Sequence, residues 1–221
     1  MNVDAKFFKK LDSALRKRFG VPPEHRCDDP TGALVRGILS QNTNDRNRDR
    51  AFESLTRKFR DWNDVLHASD EEIAAAIRTA GMSGQRTERI KNLLQWLKQH
   101  SGKEIDAQFL LDMDYKRALE QLTSLPGIGV KTAAVFLLFC GDAPLFPVDT
   151  HIKRIMIRMK IFPPKTSAEK MIFALSEIVP HEIHNSLHLN LLELGRNYCT
   201  ARKTMCETCP VKNICPANRK E

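Results

Sequence analysis

Leu125-Pro126-Gly127-Ile128-Gly129-Val130-Lys131-Thr132-Ala133 carries two glycines shortly ahead of a lysine. It lies between two segments with helical spacing of apolar residues, and its paired glycines predict a tight turn between two helices. Glycine enters positive φ without steric cost, so Gly127 and Gly129 can adopt the conformation that such a turn needs. Gly127, Gly129 and Val130 also bring main-chain N–H groups to the start of a helix, where an anion is stabilised. A phosphate held in this way positions a nucleic acid and reads no base. An ordinary αα-hairpin would carry the same glycines. Lys131 opens the second helix, where the macrodipole disfavours a cation. That placement raises the fraction of neutral amine, the form a nucleophilic lysine needs. Without the next motif, a phosphate-binding or surface lysine is the better reading of this position.

That motif, Phe146-Pro147-Val148-Asp149-Thr150-His151, follows after 18 residues, counted from Lys131 to Asp149. Asp149 directly precedes a helical pattern of Ile152, Ile155, Met156 and Met159, with Pro163-Pro164 beyond its end. It is expected as an N-cap, a role that also fixes a carboxylate where it could support a cationic transition state. Upstream, Ile90, Leu93, Leu94 and Leu97 follow i, i+3, i+4, i+7, with Gly102 as a stop signal. Phe7, Phe8, Leu11, Leu15 and Phe19 suit one face of an N-terminal helix, and Ser69 with Glu72 and Thr166 with Glu169 read as capping boxes. No segment shows sustained alternation, no repeat has a fixed period, and no linker is of low complexity. The fold class is therefore all-α, with helices from about residue 4 to the C-terminal cysteines.

Four of the six cysteines, Cys199, Cys206, Cys209 and Cys215, crowd the C-terminus as C-x6-C-x2-C-x5-C. Four thiolates on a short loop hold either a tetrahedral metal or a [4Fe–4S] cluster. Structural zinc usually draws on two close cysteine pairs. Only Cys206 and Cys209 form one here, which favours the cluster and leaves zinc open. Arg202, Lys203, Lys212 and Arg219 add cations that either balance the thiolates, face phosphates, or sit in a solvated loop. Cys27 and Cys140 stand alone, and with no export signal a disulfide framework is not expected.

The 221 residues, 42% of them hydrophobic, suffice for a sizeable core in one or two domains. No apolar run nears the length of a membrane span, and Ala133 to Cys140 is too short. The N-terminus lacks the apolar core of a signal peptide, and Asp4 and Asp12 argue against a transit peptide. Thirty-five Lys and Arg against 27 Asp and Glu give +8 with His neutral. That excess favours a polyanionic partner through counterion release, although a soluble protein can simply be basic.

The hairpin with its lysine, V-D-T-H, and the cysteine spacing with Ala201-Arg202-Lys203 inside it, in this order, closely resemble the endonuclease III family of helix-hairpin-helix DNA glycosylases. The resemblance covers nearly the whole chain. It implies a two-lobed fold, with a six-helix barrel over 28–143 and a second helical lobe built from 1–27 and 144–221. It further implies a [4Fe–4S] cluster on the four C-terminal cysteines, and double-stranded DNA with a damaged base or abasic site lying across the cleft between the lobes. Lys131 and Asp149 would face that cleft as the catalytic pair. Lys131 would displace the base and form a Schiff base, followed by β-elimination. Leu39-Ser40-Gln41-Asn42-Thr43-Asn44-Asp45 resembles the family's L-S-x-Q-x-T-D segment, which supplies polar groups to the gap left by a flipped nucleotide. Gln41, Asn42 and Asp45 are thus expected DNA contacts, with Asn42 where the family has glutamine. Gly81-Met82-Ser83-Gly84 matches the minor-groove wedge, so Met82 and Ser83 join them, with Ser83 replacing a larger residue. Gly127, Gly129, Val130, Arg202 and Lys203 would hold phosphates. A monomeric, cytoplasmic, nucleoid-associated prokaryotic enzyme acting on oxidised pyrimidines is expected. Its rivals are a monofunctional mismatch glycosylase, whose relatives lack the lysine, and a non-catalytic iron–sulfur DNA-binding protein.

Overall fold

A computed structural model describes residues 3–23, 27–102 and 104–218. Among them the protein is all-α, with no strand and one isolated antiparallel bridge between Cys199 and Thr204. The chain divides into two units, a continuous one of Arg26–Gly141 and a split one of Met1–His25 with Asp142–Glu221. The split unit begins with α1 (Ala5–Phe19). The continuous unit holds α2 (Pro30–Leu39), α3 (Asp45–Lys58), α4 (Trp62–His67), α5 (Asp70–Ala76), α6 (Ser83–Ser101), α7 (Gln108–Asp112), α8 (Tyr115–Thr123) and α9 (Val130–Gly141). The split unit is completed by α10 (Thr150–Arg158), α11 (Ala168–Ile178) and α12 (His184–Asn197).

Most helices start where a short polar side chain satisfies an orphan N–H. Asp29, Asn44, Asp61, Ser69, Asp114, Asp149 and Ser167 all cap in this way. Ser69 and Glu72 form the full capping box expected of them. The second box does not form. Ser167, one residue after Thr166, accepts from the Lys170 N–H at 3.2 Å, so α11 begins at Ala168 and Glu169 falls at its second position.

In the continuous unit the stripe of Ile90, Leu93, Leu94 and Leu97 is buried along α6, which ends at Gly102 with φ 93°. Ala133, Ala134, Phe136, Leu137 and Leu138 of α9 are also buried. A helix apolar nearly all round belongs inside its unit, and α9 packs against α2, α7 and α8. The α2–α9 pair runs antiparallel. Gly37, late in α2, meets Thr132, early in α9, closely enough that an added Cβ would lie 2.9 Å from the threonine methyl. At the other end Cys27, just ahead of α2, is joined to Cys140 near the close of α9. In the split unit α1 buries Phe8, Leu11 and Leu15 and packs on α12. There the Ser186 hydroxyl donates to the buried Asp12 carboxylate at 2.7 Å. Burial pushes the Asp12 carboxyl above its usual range, against the lowering effects of Ser186 and Arg16.

The Cys27–Cys140 disulfide overturns the expectation that these residues stand apart. Their sequence separation of 113 hides the antiparallel return of α9 along α2, which brings the start and end of the unit together. Closing a loop of that size restricts the unfolded chain by about 4–5 kcal/mol in the chain-entropy model, an upper bound because the unfolded state keeps some structure. Cys27→Ser with Cys140→Ser should therefore lower the urea midpoint of the oxidised protein, and reductant should lower the wild type to the same value. Equal midpoints for oxidised wild type and double variant would show that the bond does not stabilise the unit.

Candidate active site

The hairpin predicted from the glycine pair joins α8 to α9. Gly127 alone carries the left-handed turn, at φ 87°. Gly129 does not enter positive φ. Instead its carbonyl accepts from the Thr132 and Ala133 N–H groups at 2.9 and 3.1 Å, so it sits at the head of α9. Buried Ile128 anchors the loop from below. A Cβ on Gly127 would collide with the Arg89 side chain, whose Cγ would lie 2.7 Å away, whereas one on Gly129 would meet nothing within 4 Å. The first glycine is thus required by the fold, and the second leaves the helix mouth open. Val130 and Lys131, both half-buried, occupy the first turn of α9.

A hydrogen-bonded chain links this hairpin to the segment after α2. The Gln41 Nε2 donates to the Gly127 carbonyl at 2.6 Å, and Arg89 Nη1 donates to Gln41 Oε1 at 2.6 Å. Both ends of the Gln41 amide are engaged with protein groups, so this side chain supports the hairpin as well as standing among the expected DNA contacts. Asn42 is exposed and left-handed at φ 51°. The Asp45 carboxylate pairs with Arg48 at 2.8 Å. In the third segment Met82 is left-handed too, at φ 49°, and the residue is 54% exposed, ahead of Ser83 at the first position of α6. An exposed methionine in strained backbone is unusual.

Arg86 was not legible as a functional residue, yet it ties two of these segments together. Its side chain is buried and makes five hydrogen bonds, all to main-chain carbonyls. Nη1 reaches Ile38 and Leu39 at 2.7 and 2.8 Å, Nη2 reaches Gln41 and, at 3.2 Å, Ala80, and Nε reaches Gly81 at 2.7 Å. Burial and the neighbouring Arg89 cation pull its pKa down. The signal was present in the sequence: residue 86 falls in register with the apolar stripe of 90, 93, 94 and 97, where a charge is out of place unless fully bonded.

In the split unit Asp149 caps α10 as expected, accepting from the Ile152 N–H at 2.8 Å, and is half-buried. The strap before it is tightly held. The Phe146 N–H donates to Ser176 Oγ at 2.7 Å, and His188 Nδ1 donates to the Pro147 carbonyl at 3.0 Å. The Phe146 ring meets the His184 and His188 rings edge-on.

The helix that Asp149 starts also grips the cysteine loop. Arg154 donates to the carbonyls of Cys199 and Gly195, both at 2.9 Å. Arg158 donates to the Thr200 and Ala201 carbonyls at 2.6 and 3.1 Å, and lies 3.4 Å from the Cys199 sulfur. These two arginines also went unread in the sequence. Arg202 and Lys203 are exposed on the same loop, Lys212 turns back to the Glu207 carbonyl at 2.9 Å, and Arg219 lies outside the described residues.

Cys199, Cys206, Cys209 and Cys215 are free thiols. Burial pushes the Cys209 and Cys215 thiols up, and the charges of the neighbouring cysteines push in the same direction. Among the described residues no group of three or more His, Cys, Asp or Glu is gathered closely enough to hold a metal ion. The donor set nonetheless fits a soft metal centre.

Comparison with known proteins agrees with this geometry. Residues 35–181 match the family model described as HhH-GPD superfamily base excision DNA repair protein. Endonuclease III of Thermotoga maritima is 30% identical over 212 residues, which cover 96% of this chain and 93% of that protein. Among solved structures, a non-covalent endonuclease III–DNA complex superposes with a TM-score of 0.82 at 23% identity, over 98% of this chain and 97% of that one. A trapped endonuclease III–DNA covalent intermediate gives 0.81 at 23% identity, over 98% of each chain. The chain belongs to the endonuclease III family of helix-hairpin-helix base excision repair proteins, and is a DNA glycosylase and abasic-site lyase.

Proposed function

We propose that the enzyme removes damaged bases, oxidised pyrimidines first among them, from double-stranded DNA, with Lys131 as nucleophile and Asp149 as its carboxylate partner. The observation that carries this reading is a half-buried lysine in the first turn of α9, directly behind the left-handed turn at Gly127. The target base is flipped out of the stack. The Lys131 amine attacks the sugar C1′, the N-glycosidic bond breaks, and the base leaves with the bonding pair and takes up a proton. Asp149 accepts a proton from the attacking amine and stabilises positive charge on the sugar. The sugar ring opens to an imine on Nζ. Loss of the C2′ proton then expels the 3′ phosphate, and hydrolysis of the imine frees the lysine.

Gly127, Gly129, Val130, Arg202 and Lys203 bind phosphates in this reading. Gln41, Asn42, Asp45, Met82 and Ser83 serve the gap and its orphaned base. Residues 28–143 form the six-helix barrel domain with the hairpin, and 1–27 with 144–221 the iron–sulfur domain. Cys199, Cys206, Cys209 and Cys215 would hold a [4Fe–4S] cluster, which fixes the loop carrying Arg202 and Lys203. The protein acts as a monomer in a prokaryotic cytoplasm, at the nucleoid. In that compartment the oxidised fraction of Cys27–Cys140 is set by the thiol poise of the cell.

Three outcomes test this. Borohydride should trap wild type on lesion-containing duplex. Lys131→Ala should abolish trapping and keep DNA binding, and Asp149→Asn, which preserves the cap, should slow excision by about 10²–10⁴-fold. Undiminished trapping by Lys131→Ala would transfer the nucleophile role to another amine. Arg202→Ala or Lys203→Ala should weaken binding to damaged and intact DNA alike and reduce the salt slope by about one unit for each lost phosphate contact; an unchanged slope would remove them from the phosphate contacts. The purified protein should be brown and contain iron and sulfide, with Cys206→Ser losing both and destabilising the loop. A colourless protein with one zinc would replace the cluster assignment.

A further inference from the structure

Among the described residues four non-glycine residues have positive φ, and two of them are Asn42 and Met82. The carbonyls directly ahead of them belong to Gln41 and Gly81, and one guanidinium, that of Arg86, holds both. Left-handed backbone costs a side-chain-bearing residue on the order of 1–3 kcal/mol and persists only where its surroundings over-determine it. Asparagine tolerates that region and methionine does so rarely. The remaining three bonds of Arg86 anchor the same group to the last carbonyls of α2 and to the turn at Ala80. A guanidinium has five N–H donors in a rigid planar fork, and here all five are used. Its charge is set against the carbonyl end of α2, where a cation is favourable.

We propose that Arg86 is a positioning residue for DNA recognition: it locks Asn42 and Met82 into their left-handed conformations together, so that the two exposed side chains enter the gap of a flipped nucleotide as one preset pair. This inference rests on the reading of segments 41–45 and 82–83 as gap-contacting. Arg86 itself touches no DNA in this account. Its effect is on the difference in affinity between DNA with a gap in the stack and intact DNA, because only the former uses both loops at once. Binding that needs the two loops pre-ordered is weakened when they move separately, as the ordering cost then falls on the binding step.

The test compares wild type with Arg86→Lys and Arg86→Met. Lysine keeps the charge but has three donors without the planar fork, and methionine fills the space without donors. Affinity is measured for a duplex with a tetrahydrofuran abasic analogue and for the same duplex intact, so that no chemistry is required. Amide hydrogen exchange of 41–45 and 81–84 is followed in the free proteins, and thermal denaturation confirms that each variant is folded. Arg86→Lys should lower the preference for the abasic duplex by about tenfold, the equivalent of one well-placed hydrogen bond. Both segments should exchange faster together, with intact-duplex affinity nearly unchanged. Arg86→Met should go further in the same direction if it folds. A folded Arg86→Lys with wild-type preference, or with only one segment loosened, would overturn the inference, as would equal weakening on both duplexes, the mark of a merely structural role. Wild-type protein with no preference for the abasic duplex would instead fail the gap-contact reading, while the exchange data would still decide whether Arg86 couples the two loops.

Discussion

A buried cation must be compensated by hydrogen bonds, and at Arg86 the compensation comes wholly from main-chain carbonyls at the end of α2 and in the turn before α6. The last carbonyls of a helix have no internal partner. In α2 the Ser40 hydroxyl takes Gly37 at 2.7 Å, and Arg86 takes Ile38 and Leu39. The end of α2 and the start of α6 are thereby one bonded structure. From it follow the geometry at Asn42 and Met82 and the placement of Gln41. Through Gln41 the constraint extends to Gly127, and so to the turn that precedes Lys131. Removing one partner from such a set leaves buried acceptors unpaired, each costing about 1–3 kcal/mol, which explains why segments this irregular can be ordered at all.

The two groups proposed for the chemistry occupy the same kind of local position. Lys131 and Asp149 each lie at the start of a helix, where aligned peptide dipoles place partial positive charge. The same helix that Asp149 begins is bound further along, through Arg154 and Arg158, to the cysteine loop. The loop is thus not an appendage to the split unit. Its order and that of α10 are coupled through these arginines.

Much of this was legible because it is local. Apolar spacing marked α6 and α10, the glycine hairpin marked the junction of α8 and α9, and Asp149 revealed itself as a cap by its place before an apolar run. The misreadings have physical causes of two kinds. Where neighbouring residues compete for one role, spacing alone does not choose: Ser167 outcompeted Thr166 as a cap, and Gly127 took the left-handed turn without Gly129. Where a contact joins distant parts of the sequence, local pattern is silent. The bond from Cys27 to Cys140 needed the antiparallel packing of α2 on α9 to be known first. Arg86 stands between these cases. Its charge in an apolar register announced that something buried must be bonded there, but its partners, the carbonyls of Ile38, Leu39, Gln41, Ala80 and Gly81, could be found only in three dimensions.

In the proposed mechanism one amine performs the chemistry, and the most direct measurement is to identify the atom bonded to the sugar. Wild-type enzyme reduced with borohydride on an abasic duplex is digested with nuclease and protease, and the adduct is located by tandem mass spectrometry. The prediction is a single reduced sugar remnant on Lys131, within the peptide that follows the Gly127 turn. An adduct on any other lysine, or on the N-terminal amine, would contradict it.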